Sequence, residues 1–222
     1  MTPADEVPTA GQPGLRERKK RETRVALSQA AIRLCVLHGW ADVTVDRIAD
    51  EANVSVRTFR NYFSGKAEAI AASHLERMLQ VAEDLLARPA GEPLWDSLLQ
   101  AVLGRFVPSE SPTSQNTPQN TPQNERWREG VRLMLGEPAL TGEIVKANAA
   151  AQQELARAVA QRTGTDAERD VYPKLVAAVV AAGSAVAVEH NLRADEPAPL
   201  GAVLAQVFEQ LAAGLPVPSE ER

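Results

Sequence analysis

With 222 residues, 44% hydrophobic and 24% charged, the chain has the balance of a globular protein long enough for one large domain or two modest ones. Aromatics at 4% disfavour a β-sandwich, and a single cysteine, Cys35, excludes an internal disulfide and a cysteine-built zinc site. A net charge of −5 taken alone argues against nucleic acid.

The distribution of charge reverses that reading. Residues 15–66 carry 11 Lys/Arg against 6 Asp/Glu, a net of +5, and the remainder carries 13 against 23, a net of −10. A basic module joined to an acidic one is expected. No uninterrupted apolar run approaches the ~18 residues of a membrane span. The start, MTPADEVPTAGQPG, lacks the basic and apolar regions of a secretory signal. A cytoplasmic protein without a membrane partner is expected.

In chain order, residues 1–14 read as a disordered tail. RERKKRETRVALSQAAIRLCVLHG predicts a long helix with Leu27, Ala30, Ala31, Leu34 and Leu37 on its apolar face and Gly39 as its stop. TVDRIADEA predicts a short helix capped by Thr44. Asn53 suits a tight left-handed turn, and Ser55 caps a second short helix ending near Phe63. Ser64 is expected to cap a further helix running to about Ala87. At 100° per residue, Val56, Phe59 and Phe63 share one sector, Arg57 and Asn61 point away, and Thr58 and Arg60 flank them.

Two short helices joined through NVS form a helix-turn-helix whose second helix is suited to the DNA major groove. Arginine pairs bidentately with guanine O6 and N7, and asparagine with adenine N6 and N7. Arg57, Arg60 and Asn61 are therefore suited to bases, with Thr58 on the flank as a further DNA-binding candidate and Thr44, Ser55, Tyr62 and Lys66 suited to phosphates. Any one such residue more often simply solvates a face; the capped helices, the turn and the basic arm together point to DNA.

The segment TVDRIADEANVSVRTFRNYFSGKAEAI resembles the DNA-binding segment of TetR-type regulators, through Thr44, Ile48-Ala49, Ala52, Val54-Ser55, Thr58-Phe59, Tyr62-Phe63 and Lys66. That resemblance covers roughly residues 18 to 70. It implies an all-α protein: a three-helix DNA-binding domain, here 15–66, then a helical ligand-binding and dimerisation domain, here 67–215, with 216–222 as a tail. Arg60 stands where the family commonly has Tyr, and Asn53 where it has Gly. The first difference bears on operator sequence, and the second is compatible with the same turn.

Beyond Arg88, WDSLLQAVLGRF predicts a helix over 95–106. VPSESPTSQNTPQNTPQN, within 107–124, reads as a disordered loop, either a tolerated insertion or a lid. ERWREGVRLMLGEPAL carries Trp127, Val131, Met134 and Leu135 on one stripe, and TGEIVKANAAAQQELARAVAQRTG predicts a further long helix. Val131, Met134 and Trp127, with Phe106, are either core or the wall of an effector pocket. A weak resemblance to TetR members thought to take acyl-CoA-like molecules implies a small apolar or acyl-CoA-like effector.

Near the C-terminus, Tyr172, Val176, Val179, Gly183, Val186 and His190 recur at 4, 3, 4, 3, 4, and Leu200, Leu204, Val207 and Leu211 at 4, 3, 4. These are helix-packing seams, belonging to an intramolecular core or to a dimer interface. In TetR-like proteins the last two helices commonly pair with their copies. That implies a homodimer held through Val176, Val179, Gly183, Val186, Leu204, Val207 and Leu211.

No catalytic residue, metal site or cofactor is expected. His38, His74 and His190 lack partners at ligand spacing, and no Gly-rich phosphate loop, HExxH or GxSxG occurs. Cys35 is expected to pack in an apolar helix. The expectation is a dimeric TetR-type repressor on a palindromic double-stranded operator, released by a small ligand. The rival is a non-catalytic helical adaptor, which has no need of Arg57 and Arg60.

Overall fold

The computed structural model describes residues 15–106 and 122–217, and every regular element among them is an α-helix. In order these are α1 (Leu15–His38), α2 (Val45–Glu51), α3 (Val56–Arg60), α4 (Lys66–Ala87), α5 (Leu94–Phe106), α6 (Pro122–Leu135), α7 (Pro138–Thr163), α8 (Val171–Arg193) and α9 (Leu200–Ala212). The reading of 107–124 as a loop needs correcting at its end. Pro122 opens α6, a position where the missing N–H costs nothing. The rest of that segment, the N-terminal tail and residues 218–222 lie outside the described residues.

Two apolar clusters organise the fold, and α4 runs through both. The first joins Leu27, Ala31 and Leu34 of α1 to Ile48, Phe59, Phe63 and the first turns of α4. It does not stop at Lys66, because Met134 of α6 and Leu140 and Ala147 of α7 close it. The second joins Val81 and Leu85 of α4 to α5, α7, α8 and α9, with Leu98, Leu155, Val180, Leu204 and Phe208 at its centre. Cys35 packs in the first cluster, and burial pushes its thiol pKa up. Leu37, expected on the same stripe, is instead 64% exposed.

Polar side chains close the corners that apolar packing leaves open. Arg162 of α7 donates to the carbonyls of Arg88, Pro89 and Glu92 at 3.1, 2.7 and 3.0 Å and to Ser97 Oγ at 2.7 Å, fixing the turn between α4 and α5. Hydrogen bonds from Arg88 and Ser97 hold the Glu92 pKa down at about 2. Arg128 of α6 donates to the carbonyls of Asn191 and Ala194 at 2.5 and 3.0 Å, satisfying the orphan end of α8.

Two helix contacts depend on a missing side chain. A Cβ on Gly130 of α6 falls 2.5 Å from the Val36 carbonyl oxygen of α1, so only glycine allows this approach. A Cβ on Gly183 of α8 falls 2.9 Å from Leu211 Cδ1 and 3.0 Å from Val207 Cγ1 of α9.

The C-terminal seam is corrected by this packing. Val176 and Leu204 are 3% and 0% exposed inside the monomer, and Gly183 is covered by α9, so these three seal the chain's own core. Val179, Val207 and Leu211 are half-buried, and Val186 is 58% exposed. The outward stripe of α8 is Tyr172, Leu175, Val179 and Val186, one position out of phase with the expected one at Val176 and Gly183. α8 is long and apolar enough to cross a membrane by length and composition, although Lys174 and Ser184 interrupt its apolar run. Its inner face nonetheless packs on α7 and α9 within the second cluster.

Candidate nucleic-acid interface

The turn between α2 and α3 is built locally. Thr44 Oγ1 accepts from the Arg47 N–H at 3.3 Å and caps α2, while Ser55 Oγ accepts from the Thr58 N–H at 3.0 Å and caps α3. Between them Asn53 takes φ 53°, the left-handed conformation asparagine tolerates, and the Val54 N–H returns to the Ala49 carbonyl at 2.9 Å. Arg33 of α1 donates to Glu51 at 2.6 Å, holding α2 against α1.

On α3, Phe59 is fully buried and stacks at 5.8 Å, tilted by 56°, on the buried Phe63. Arg57, Arg60 and Asn61 are exposed, and neither arginine has a carboxylate partner among the described residues. The helix ends at Arg60, short of the expected Phe63, with Asn61 as its C-cap. Thr58 is half-buried, its hydroxyl 2.8 Å from that of Ser55, so the two share one hydrogen bond. Tyr62 is half-buried beside Phe63 at 6.4 Å.

Lys66 departs from its expected place. Its ammonium donates to the Trp40 carbonyl and, at 2.9 Å, to the Val43 carbonyl, and lies 4.4 Å from the centre of the Trp40 ring. Two of its three donors are thus committed to the loop between α1 and α2, which makes it a staple for that loop. Ser64 is corrected too. Gly65 occupies the cap position, and Glu68 instead accepts from the Ser64 N–H and hydroxyl, both at 2.7 Å. Burial pushes the Glu68 carboxyl up, but those two bonds together with the Arg24 and Lys146 charges leave its pKa below the ordinary value.

Among the described residues, the expected effector wall is divided between the two clusters. Val131 and Met134 pack into the first cluster and Phe106 into the second. The Trp127 side chain lies outside the described residues. Met134 is buried because α6 leans on α1, a contact between elements about a hundred residues apart.

Sequence reasoning also missed two arginines. Arg24 of α1 lies 4.8 Å over the Phe63 ring, and Arg77 of α4 lies 5.3 Å over Phe106. Arg77 is followed directly by the buried Met78, and nothing local in the sequence marks it out.

Both halves of the chain match family models. A family model described as bacterial regulatory proteins, tetR family, matches residues 27–72. One described as the MftR C-terminal domain matches residues 92–216, more than half of the chain. The chain belongs to the TetR family of transcriptional regulators. It is 34% identical over 195 residues to the HTH-type transcriptional regulator TcmR of Streptomyces glaucescens, covering 84% of this chain and 81% of that one. It is 30% identical over 202 residues to MftR of Mycobacterium tuberculosis, a protein named for regulation of mycofactocin biosynthesis, covering 89% and 93%. A TetR-family structure from Syntrophomonas wolfei shares the fold at TM-score 0.59 and 16% identity, covering 90% of this chain and all of the other. This regulator therefore has a DNA-binding α2–α3 unit on an all-helical body.

Proposed function

We propose that the regulator binds a palindromic operator as a homodimer, represses from it, and is released by a small effector. The observation that carries the DNA reading is α3 itself. Phe59 and Phe63 fix the helix from beneath while Arg57, Arg60 and Asn61 stand exposed and, among the described residues, without acidic partners. Such side chains meet guanine and adenine edges in the major groove, with Thr44, Ser55 and Tyr62 near the backbone.

Dimerisation is supported by the outward stripe of α8, where Tyr172, Leu175 and Val186 leave apolar area in solvent. An effector acts on this frame by favouring a dimer whose two reading helices no longer match successive grooves. The contacts of α6 to both α1 and α8 offer a path for that bias. A small apolar or acyl-CoA-like effector remains the proposed class; Met134 is buried in the core, leaving Phe106, Trp127 and Val131 as the candidates.

The test is selection of bound duplexes by the wild type and by Arg60→Ala, followed by salt titration. Arg60→Ala should cost about 1–3 kcal/mol on the selected operator and relax preference at specific base pairs. An unchanged sequence preference overturns the base-reading role, and salt-insensitive binding overturns DNA recognition in favour of an adaptor.

A further inference from the structure

A cleft of about 490 Å³ opens where α1 meets α4 and α5. Four guanidinium groups line it, those of Arg21, Arg24, Arg77 and Arg105, against a single carboxylate, Glu76. Two of the four are compensated: Arg21 pairs with Glu76, and Arg105 pairs with Asp84 at 2.6 Å. Arg24 and Arg77 form no salt bridge among the described residues, although the Glu68 carboxyl feels the Arg24 charge, and they rest on the Phe63 and Phe106 rings at 4.8 and 5.3 Å.

Arg77 is the unusual member. It is largely withdrawn from solvent, and burial pulls its pKa below the ordinary arginine value. A buried guanidinium without a counter-charge opposes folding, and packing against Phe106 alone needs no charge, since methionine fills such a place. What a guanidinium adds is a planar fork of donors matched to phosphate and carboxylate oxygens. Aromatic rings beneath Arg24 and Arg77 orient those forks without neutralising them.

We propose that this cleft binds a small polyanion, gripped by Arg77 from α4 and Arg24 from α1 within the field of Arg21 and Arg105. The site is separate from the exposed arginines of α3 and, through Phe106 beneath Arg77, adjoins the candidate effector wall. Because Arg24 shares α1 with the core residues Leu27 and Leu34, an anion here ties the DNA-binding unit to α4.

Inorganic pyrophosphate and citrate serve as probes on the full-length protein, by calorimetry and thermal shift, against sodium chloride of equal ionic strength. Saturable binding and a raised Tm with at least one probe are expected. Response to pyrophosphate alone marks a phosphate ligand, and response to both marks recognition of clustered charge. Arg77→Met should bind at least tenfold more weakly while retaining helicity and dimer mass. Arg24→Gln, an α1 substitution, should also weaken binding and carries the test should Arg77→Met misfold. No effect beyond matched chloride overturns the proposal, as does full binding by either variant. Loss of binding in Arg60→Ala overturns it also, since the anion is then on the DNA-facing surface.

Discussion

Lys66 and Trp40 are bound twice over: the ammonium donates to the Trp40 carbonyl and sits 4.4 Å from the centre of its ring. With the Val43 carbonyl at 2.9 Å, this contact pins the α1–α2 loop to the start of α4 and so sets where α2 and α3 sit. Lys66→Met should therefore cost about 1–3 kcal/mol of stability, from a charge-assisted hydrogen bond and a cation–π contact. Operator affinity should fall through misplacement of α3. The salt slope should change by less than the ~1 unit that loss of a phosphate contact gives. Chemical denaturation beside a salt titration decides. A stable Lys66→Met protein with a slope reduced by a full unit returns Lys66 to the phosphate backbone.

The difference between Lys66 and α3 shows what was legible. Ser55, Asn53, Phe59 and Phe63 could be read because caps, turns and stripes act within a few residues. The Lys66–Trp40 contact joins residues 26 apart, and nothing local distinguishes a lysine that folds back from one that reaches out. α8 failed for another reason. Its valines and alanines cover every face, so a 4, 3, 4 spacing fits two stripes, one through Val176 and one through Leu175. Only the position of α9, closing over Gly183, chooses between them. Met134 and Val131 are ambiguous likewise, and only the packing of α6 on α1 decides between core and surface.

His74 should make the body sensitive to pH. On α4, its Nε2 lies 2.6 Å from Asn148 Oδ1 of α7. Burial lowers its pKa, the Asn148 bond opposes that, and the nearby Arg77 charge adds to the lowering. A folded-state pKa below the unfolded value means that the unfolded chain takes up the proton first. The contribution of the neutral imidazole is thus complete above about pH 6.5 and lost as the pH falls below it. Tm should drop between pH 7 and 5.5, and His74→Gln, which keeps a hydrogen bond to Asn148 without titrating, should flatten that drop. An identical pH slope in the variant assigns the sensitivity elsewhere.

Gly130 fixes how closely α6 can approach α1. An alanine there sets its Cβ 2.5 Å from the Val36 carbonyl oxygen and 2.8 Å from Val36 Cγ1, and the first of these is backbone that cannot swing aside. Gly130→Ala should cost about 1–3 kcal/mol, as overpacking does, despite its better helix propensity. Because α6 also holds the end of α8 through Arg128, the displacement should alter operator affinity as well. Thermal melts and operator titration read the two effects. A variant as stable as wild type, or more so, shows that α6 does not press on α1.

The two stripes of α8 separate folding from assembly. Val186 is 58% exposed and Val176 only 3%, though both are valines on one helix. Val176→Glu places a charge in the monomer core without a partner and should unfold the C-terminal body, at a cost of several kcal/mol. Val186→Glu leaves that core intact but, in a two-fold dimer, brings the charge in twice on the facing surfaces. Its helicity should stay native while the mass measured by light scattering falls to that of a monomer. Operator affinity falls with it, since one reading helix has lost the advantage of linked half-sites. If Val186→Glu stays fully dimeric at micromolar concentration, the outward stripe of α8 is not the contact between subunits.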